Sequence, residues 1–354
     1  MIKSKVSAMT IILKVNARQP EPELIRQAAD VIRHGGLVAF PTETVYGLGA
    51  NAFDERAVQR LFKVKNRPAI DPLIVHLART GDLEKVVQQV TDLAKVLAEA
   101  FWPGPLTLIQ WKRAEVPTIV ASGLETLATR VPAHPVALAL LEAAGVPVVA
   151  PSANLFGRSS PTSANHVLKD LGGRIDVVLD GGPTPIGVES TVLDITTDPP
   201  AILRPGGLSR EDLETVIGQV EVRSENAVSG KAQRSPGMLA KHYAPRAELV
   251  LCSGSNPEEV YSKIEQLAKN YLNEGKQVGL LLAVEDVDRL SELDVFMFPL
   301  GPQEKLEEIA HRLYTGLRFL DEQGVDLILT RDFGEVGLGL AIRDRLKRAA
   351  TRIE

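Results

Sequence analysis

Four short polar clusters in the first two-thirds of the chain contain the residue types best suited to binding charged substrates. Lysine, arginine and small hydroxyl side chains can neutralise and orient phosphates and carboxylates. Each cluster follows an apolar stretch, and open α/β folds bind ligands at strand ends. We therefore expect one shared ligand site, although turn formation and capping are the alternative for any single cluster. The clusters are residues 40–49 (FPTETVYGLG), 65–76 (KNRPAIDPLIVH), 151–154 (PSAN) with 159–162 (SSPT), and 187–194 (GVESTVLD) with 203–207 (LRPGG).

The common motifs for other chemistries are missing from the sequence. There is no G-x-x-x-x-G-K-[ST] phosphate-binding loop, no G-x-G-x-x-G dinucleotide motif and no G-x-S-x-G nucleophile turn. The histidines are scattered and form no H-E-x-x-H pair or Cys/His cluster, which predicts no protein-ligated metal. Cys252 lies in an apolar strand pattern, so we expect a buried, unreactive thiol.

Composition is typical of a soluble globular protein. The chain has 354 residues, a net charge of −5, 44% hydrophobic and 24% charged residues. This length favours two domains. No apolar run is long enough to span a membrane, and residues 1–13 lack a complete signal peptide. The single cysteine excludes an internal disulfide and fits a reducing compartment, so we expect a cytoplasmic protein.

Apolar periodicity and turn residues predict an uneven mixture of strands and helices over residues 1–220. Asp54 is the expected N-cap of a helix that continues to Lys65, and Pro68 is the expected reason for its end. The predicted helices are 21–34, 54–65, 135–144 and 209–218, with two helical stretches between 78 and 101. The predicted strands are 37–40, 72–77, 106–111, 146–150, 176–179, 190–195 and 201–203.

The periodicity fails over residues 221–246, which indicates a linker, and changes afterwards. Strands and helices then alternate, which predicts a small parallel α/β domain over residues 247–354. Its predicted strands are 247–252, 277–282, 294–298 and 326–329, and its predicted helices are 257–272, 303–320 and 338–350. The linker is long, and its distal half contains Pro236, Gly237, Met238, His242, Tyr243 and Pro245. We therefore expect it to act as a lid, with a docked interdomain strap as the alternative. A lid would protect Lys231, Arg234 and Lys241 from protease when substrates bind.

Several motifs resemble, in order and spacing, those of the threonylcarbamoyl-AMP synthase (Sua5/YciO/YrdC) family. They are PTETVYGLG, K-x-R-P, PGPLT, PSAN, GVESTV and LRPG. Two further segments of the linker, SPGM and KHYAP, resemble the longer, two-domain Sua5 form rather than the short YrdC form. The resemblance implies a YrdC-like domain with a twisted mixed sheet and a concave, basic site, followed by a smaller Rossmann-like domain. Asp71 stands where we expect the family often to have Asn.

The resemblance also implies a reaction. L-Threonine, bicarbonate (or CO₂) and ATP would give threonylcarbamoyl-adenylate and pyrophosphate, with Mg²⁺ held mainly by the ATP phosphates and water. The product would supply threonylcarbamoyl-transferase machinery that modifies adenosine 37 of tRNAs reading A-starting codons. The threonine amine is itself the nucleophile, which agrees with the lack of a protein nucleophile motif.

Individual roles also follow from the motif match. Lys65 and Arg67 are the implied catalytic residues. The implied ATP-binding residues are Lys65, Arg67, Asp71, Thr126, Asn154, Thr162, Arg204 and Tyr243. The implied L-threonine-binding residues are Thr44, His76, Arg130, Ser152 and Ser190. Plainer explanations stay open for some of them: a solvated helix end for Lys65 and Arg67, a structural histidine for His76 and a buried anchoring ring for Tyr243.

Two other functions remain as alternatives. A basic concave face could bind tRNA or double-stranded RNA without catalysis, and weak tRNA contact is also compatible with the synthase. The 5% aromatic content and the net charge of −5 weaken an RNA-binding function. The second alternative is a related carbamoyl-transfer enzyme that uses carbamoyl phosphate, although the cysteine pattern of the larger carbamoyltransferases is missing.

Overall fold

A mixed sheet forms the centre of the first domain. The computed structural model of the chain describes residues 9–223, 233–235, 237 and 242–354. In this part of the chain the sheet has the strand order β1-β8-β2-β3-β7-β4-β6-β5-β9-β10-β11, with parallel and antiparallel neighbours. Its strands are β1 (Ile11–Lys14), β2 (Val38–Pro41), β3 (Tyr46–Asn51), β4 (Ile74–His76), β5 (Leu106–Trp111), β6 (Thr126–Arg130), β7 (Val148–Val149), β8 (Val177–Asp180), β9 (Thr191–Asp194), β10 (Ala201–Arg204) and β11 (Glu221–Val222).

Helices pack on the faces of this sheet, and their ends follow local sequence rules. They are α1 (Pro22–Arg33), α2 (Glu55–Lys65), α3 (Asp92–Phe101), α4 (Pro135–Ala144), α5 (Ala164–Leu171) and α6 (Arg210–Ile217), with a 3-10 helix at Thr80–Lys85. Asp54 caps α2 by accepting from the Arg56 and Ala57 N–H groups, as predicted. However, α2 ends because Asn66 adopts a left-handed conformation with φ 53, two residues before Pro68.

The second domain contains a parallel sheet with the strand order β14-β13-β15-β12-β16. This arrangement confirms the alternation of strands and helices expected from the sequence. Its strands are β12 (Glu248–Cys252), β13 (Val278–Leu282), β14 (Phe296–Pro299), β15 (Leu327–Arg331) and β16 (Arg352–Ile353). Its helices are α7 (Pro257–Asn273), α8 (Val284–Arg289), α9 (Leu306–Gln323) and α10 (Leu338–Ala349). Cys252 is buried, and burial raises the pKa of its thiol to about 11.

Some elements were not expected from the sequence. Strand β3 occupies the second half of the PTETVYGLG cluster, and strand β6 and helix α5 also went unrecognised. In β3, glycines stand at positions 47 and 49, where strands typically have β-branched residues. The strand still forms because β2 and β7 pair with it on its two sides. In the described part of the chain, no helix is long and apolar enough to cross a membrane.

The two domains share a packed boundary beside the polar clusters. Val45, Val188 and Tyr243 belong to the same buried apolar cluster as core residues of the second domain. Gly187 has φ +86, and a Cβ there would lie 2.4 Å from the His311 Cα atom in α9. The loop before β9 therefore lies directly on the second domain. The domain limits at residues 220 and 246 stay a prediction.

A second glycine brings the LRPGG and GVESTV loops together. A Cβ on Gly206 would lie 2.3 Å from the Glu189 carbonyl oxygen and 2.4 Å from the Thr191 nitrogen. The Gly207 N–H donates to the Glu189 carbonyl at 2.9 Å, and this hydrogen bond holds the two loops close together. These neighbouring atoms are all backbone, so they have little freedom to move away.

We expect Gly206→Ala to destabilise the protein by about 1–3 kcal/mol, because the methyl group would force two loops apart. Gly81→Ala is the matched control, since a Cβ there has no neighbour within 4 Å. Urea unfolding of both variants measures the difference. Equal stability of the two would contradict the close approach.

Candidate active site

A narrow pocket opens where the four polar clusters converge. Its volume is about 40 Å³, which holds only a little water, and linker residues lie along one side. Its lining is formed by Thr42, Thr44, Val45, Gly47, Arg67, Ile74, His76, Arg130, Ala150, Pro151, Ser152, Glu189, Ser190, Arg204, Gly237, His242 and Tyr243. A nucleotide therefore needs some of these groups to move before it can enter.

Most of the residues predicted for the site line this pocket. They are Thr44, Arg67, His76, Arg130, Ser152, Ser190, Arg204 and Tyr243. The others do not line it. They are Lys65, Asp71, Thr126, Asn154 and Thr162.

Arg130, at the end of β6, is buried and partly engaged by protein groups. Its Nε donates to the Gly104 carbonyl at 3.1 Å, Nη1 to the Thr44 hydroxyl at 3.1 Å and Nη2 to Glu43 Oε1 at 2.5 Å. Glu43 Oε2 also accepts from the Ala133 N–H. Each Nη of a guanidinium carries a second N–H group besides the one that these contacts use, so each Nη keeps one N–H for a ligand. Arg130 is thus held in place and still able to bind a carboxylate.

His76 lies beside Arg130 on the neighbouring strand β4, in register with it. Burial, together with the positive charge of Arg130, lowers the pKa of His76 to about 3. The imidazole is therefore neutral at neutral pH. It can exchange hydrogen bonds with a ligand without adding a second charge next to Arg130.

Arg67 follows α2 and reaches the opposite side of the pocket. Its Nε donates to the Asp71 carbonyl at 3.0 Å, and its Nη2 donates to the Pro72 carbonyl at 2.7 Å. Nη2 also lies 3.0 Å from Asp71 Oδ2. Burial raises the pKa of the Asp71 carboxyl, and the charge of Arg67 opposes this shift. The left-handed Asn66 turns the chain so that Arg67 points back toward the sheet.

Lys65 lies behind the pocket rather than in its wall. Its ammonium donates to the Ser152 carbonyl and, at 2.6 Å, to the Asn154 carbonyl. Burial and the neighbouring Arg67 lower the pKa of Lys65 well below its usual value. Lys65 therefore ties helix α2 to the PSAN loop, which carries Ser152 into the pocket.

Arg204 and Ser190 form one contact group on the far wall. Arg204 Nη2 donates to the Ser190 carbonyl at 2.9 Å and to its hydroxyl at 3.1 Å. The Ser190 hydroxyl is also 2.8 Å from the Thr107 hydroxyl in β5. The GVESTV, LRPGG and PGPLT motifs thus meet at this point.

Three predicted residues lie farther away. Thr126 starts β6, opposite Trp111, at the other end of the strand from Arg130, roughly 13 Å away at the usual rise per residue. The Asn154 amide donates to the carbonyls of its own loop. The Thr162 hydroxyl is 3.2 Å from the Thr315 hydroxyl in α9 and faces the domain boundary. Thr126 therefore does not line the narrow pocket, and its contact with ATP stays a prediction.

The described part of the linker lies over the pocket. Tyr243 is buried with φ 65, a conformation that bulky residues rarely adopt. The Ser159 hydroxyl donates to the Tyr243 carbonyl, and the Ala244 N–H donates to the Gly157 carbonyl at 2.8 Å. Arg234, 3.1 Å from Asp194, is described, whereas Lys231 and Lys241 lie outside the described residues.

Glu189 connects the pocket to the second domain. Its carboxylate accepts from Arg345 Nε at 2.6 Å, from the Tyr314 hydroxyl at 3.0 Å and from the Ser160 hydroxyl at 2.5 Å. Burial alone would raise the pKa of Glu189, but Arg345, Arg204 and the Ser160 hydroxyl lower it to about 2. Arg345 also lies 5.1 Å from the centre of the Tyr243 ring.

Sequence reasoning missed part of this site. Glu43 and Glu189 stand inside motifs that were recognised. An acidic residue next to residues predicted to form a cationic pocket was the signal that could have identified them. Tyr314 and Arg345 offered no signal, because they lie 125 and 156 residues from Glu189 in the chain.

Comparison with known proteins finds relatives that match both domains. A family model for Sua5/YciO/YrdC proteins, described as "Telomere recombination", matches residues 30–206, and a model described as the C-terminal domain of threonylcarbamoyl-AMP synthase matches residues 208–351. A threonylcarbamoyl-AMP synthase of Pyrococcus abyssi is 49% identical over 346 residues, which cover 97% of this chain and 98% of that protein. The chain belongs to the threonylcarbamoyl-AMP synthase family.

Further relatives support this membership. The Bacillus subtilis threonylcarbamoyl-AMP synthase is 46% identical over 92% of this chain and 92% of its own length. The crystal structure of P. abyssi Sua5 complexed with L-threonine superposes with a TM-score of 0.91 and 47% identity, and covers 97% of this chain and 99% of that one. Escherichia coli YciO matches 56% of this chain with a TM-score of 0.51 and 27% identity, and covers 96% of its own chain.

The acids near the pocket are all occupied by arginines. Glu43 pairs with Arg130, Asp71 with Arg67 and Glu189 with Arg345. The described residues contain no group of three or more His, Cys, Asp or Glu side chains placed to hold a metal.

We expect Glu189 to make stability depend on pH. Its folded-state pKa of about 2 lies below the ordinary 4.5, so its contribution is complete above pH 4.5 and disappears as the pH falls toward 2. The contribution is about 3 kcal/mol at neutral pH. Glu189→Gln should be less stable than the wild type at pH 6, and the difference should shrink by pH 3.

Denaturant unfolding at pH 6 and pH 3 measures this change, with Glu99→Gln as a control at an exposed site. If Glu189→Gln and Glu99→Gln lose the same stability at both pH values, the buried ionic network is refuted.

Proposed function

We propose that this chain condenses L-threonine, bicarbonate (as CO₂) and ATP into threonylcarbamoyl-AMP with release of pyrophosphate. The convergence of Arg67, Arg130 and Arg204 in one pocket carries this proposal, because the substrates present phosphates and a carboxylate. The L-threonine complex of the 47% identical P. abyssi protein supports it. The reaction takes place in the cytoplasm, and the product supplies a transferase that modifies tRNA adenosine.

L-Threonine occupies the Arg130 side of the pocket in this proposal. The two N–H groups left on Arg130 Nη1 and Nη2 bind the amino-acid carboxylate, in the paired geometry that favours arginine over lysine. Thr44, His76, Ser152 and Ser190 provide the polar groups around the amine and the hydroxyl.

The chemistry proceeds without a protein nucleophile. The deprotonated threonine nitrogen attacks the carbon of CO₂, and the loss of one proton gives a carbamate. A carbamate oxygen then attacks the α-phosphorus of ATP, and the bond to pyrophosphate breaks. The protein orients the two anions and stabilises the charge that develops between them.

The nucleotide occupies the side of Arg67 and Arg204. Lys65 and Asn154 support this side through the PSAN loop, and Thr162 supports it from the domain boundary. Thr126 stands at the other end of β6 from Arg130, and its contact with ATP stays a prediction. MgATP enters as one substrate, with the metal held by phosphate and water.

The linker acts as a lid in this proposal. Gly237, His242 and Tyr243 cover a pocket too small for the substrates, so the segment opens for entry and closes during the reaction. Closure excludes water from a carbamate and a mixed anhydride that both hydrolyse readily.

We expect pyrophosphate release from ATP to require both L-threonine and bicarbonate. Release without threonine, or with carbamoyl phosphate in place of threonine and bicarbonate, would contradict the proposed reaction. Binding of RNA without any pyrophosphate release would favour a non-catalytic RNA-binding function instead.

Two conservative variants assign the two sides of the pocket. Arg130→Lys should raise the KM for threonine and Arg67→Lys the KM for ATP, each by about 10- to 150-fold, because lysine keeps the charge but loses the planar pair of donors. Each variant serves as the control for the other in steady-state assays. A similar rise of both KM values in both variants would reject the assignment.

A further inference from the structure

Asp71 joins the nucleotide side of the pocket to the linker. Its side chain is completely buried. Oδ1 accepts from the Gly237 N–H at 3.2 Å, and Oδ2 lies 3.0 Å from Arg67 Nη2. One carboxylate thus contacts both a proposed phosphate-binding arginine and the backbone of the proposed lid.

The surroundings of Asp71 are cationic. Arg67, Arg204 and Lys65 all act electrostatically on its carboxylate. Arg67 turns Nε and Nη2 toward residues 71–72, which leaves Nη1 without a hydrogen bond to any described residue. In the pocket without nucleotide, Asp71 therefore supplies the negative charge that Arg67 requires in a buried position.

A nucleoside triphosphate changes this balance. Its phosphates approach Arg67 as a second anionic partner and meet the Asp71 carboxylate close by. Two anions that share one buried cation repel each other, since the surroundings screen them weakly. The Asp71–Arg67 pair therefore stabilises the pocket without nucleotide more than the pocket with nucleotide bound. This difference in stabilisation weakens nucleotide binding.

We infer that Asp71 is a positioning residue that competes with the nucleotide phosphates for Arg67, and so sets the affinity of the closed pocket for MgATP. The inference rests on the proposed function, because it takes ATP as the ligand. Asp71 does not line the pocket wall, so in this inference it acts on the nucleotide through Arg67. The same carboxylate holds Gly237, so nucleotide entry and the position of the linker are linked.

Substitution with asparagine separates the two contacts of Asp71. Asp71→Asn removes the charge but keeps an oxygen that accepts from the Gly237 N–H. The unliganded pocket then loses the partner of Arg67, and the nucleotide meets no competing anion. Both effects favour MgATP binding, so its Kd should fall by about tenfold or more.

Asp194→Asn is the matched control. Asp194 is also completely buried and also pairs with a linker arginine, since Oδ2 lies 3.1 Å from Arg234 Nη2. It does not line the pocket. Its substitution should loosen the linker to a comparable degree and leave the Kd for MgATP unchanged within about twofold.

The experiment is isothermal titration of the full chain with MgATP, without threonine and bicarbonate. We expect tighter binding for Asp71→Asn and for Asp71→Ser, which removes the same charge with a smaller acceptor. In steady-state assays the KM for ATP should fall and the KM for threonine should stay the same. A Kd for both variants that is equal to or above the wild-type value overturns the inference.

The outcomes also separate this inference from the proposed function. If the wild type binds no MgATP and releases no pyrophosphate, both fail. If the wild type binds MgATP and the Asp71 variants bind no more tightly, only the inference fails. Tighter binding in Asp194→Asn as well would attribute the effect to a looser linker and would also overturn it.

Discussion

The buried carboxylate of Glu189 is the point on which the arrangement of the site depends. It lies one residue before Ser190, in the wall of the pocket, and its partners Arg345 and Tyr314 come from the second domain. Removing an ion pair from water is costly, and the cost is recovered only when the remaining donors and acceptors are also satisfied. Here Ser160, Tyr314 and Arg345 all donate to the one carboxylate. The second domain therefore holds the Glu189–Ser190 wall of the pocket in place through Arg345 and Tyr314, although neither residue lines the pocket.

The same principle explains how an acidic chain holds a cationic pocket. Arg130 pairs with Glu43, and Arg67 pairs with Asp71, so these two buried guanidinium groups each have a carboxylate partner before any ligand arrives. These acids stand within the motifs, a few residues from the groups that line the pocket. The pocket can therefore keep Arg67 and Arg130 as donors for anionic substrates without leaving either guanidinium unpaired in the folded protein.

The fold class and many of the residues that line the pocket could be predicted from the sequence, because the motifs resemble those of a known family and local signals define the helices. Asp54 and Lys65 show this, since a cap and an apolar face define α2. Thr126 shows what the motif position leaves open, because it is near Arg130 in the chain but at the opposite end of an extended strand, and its contact with ATP stays a prediction. Arg345 could not be found, since only the packing of two domains brings it to Glu189. Strand β3 was missed because its pairing on both sides overrides the weak strand preference of its glycines.

A double-mutant cycle between Glu189 and Arg345 tests the central claim most directly. Glu189→Gln, Arg345→Met and the double variant would be compared by free energy of unfolding and by the rate of pyrophosphate release. If the buried pair joins the second domain to the pocket, the double variant should be no less stable and no less active than either single variant. The coupling energy in unfolding should then be about 2–3 kcal/mol. Additive losses in both measurements would show that the two residues act independently, and would contradict the account.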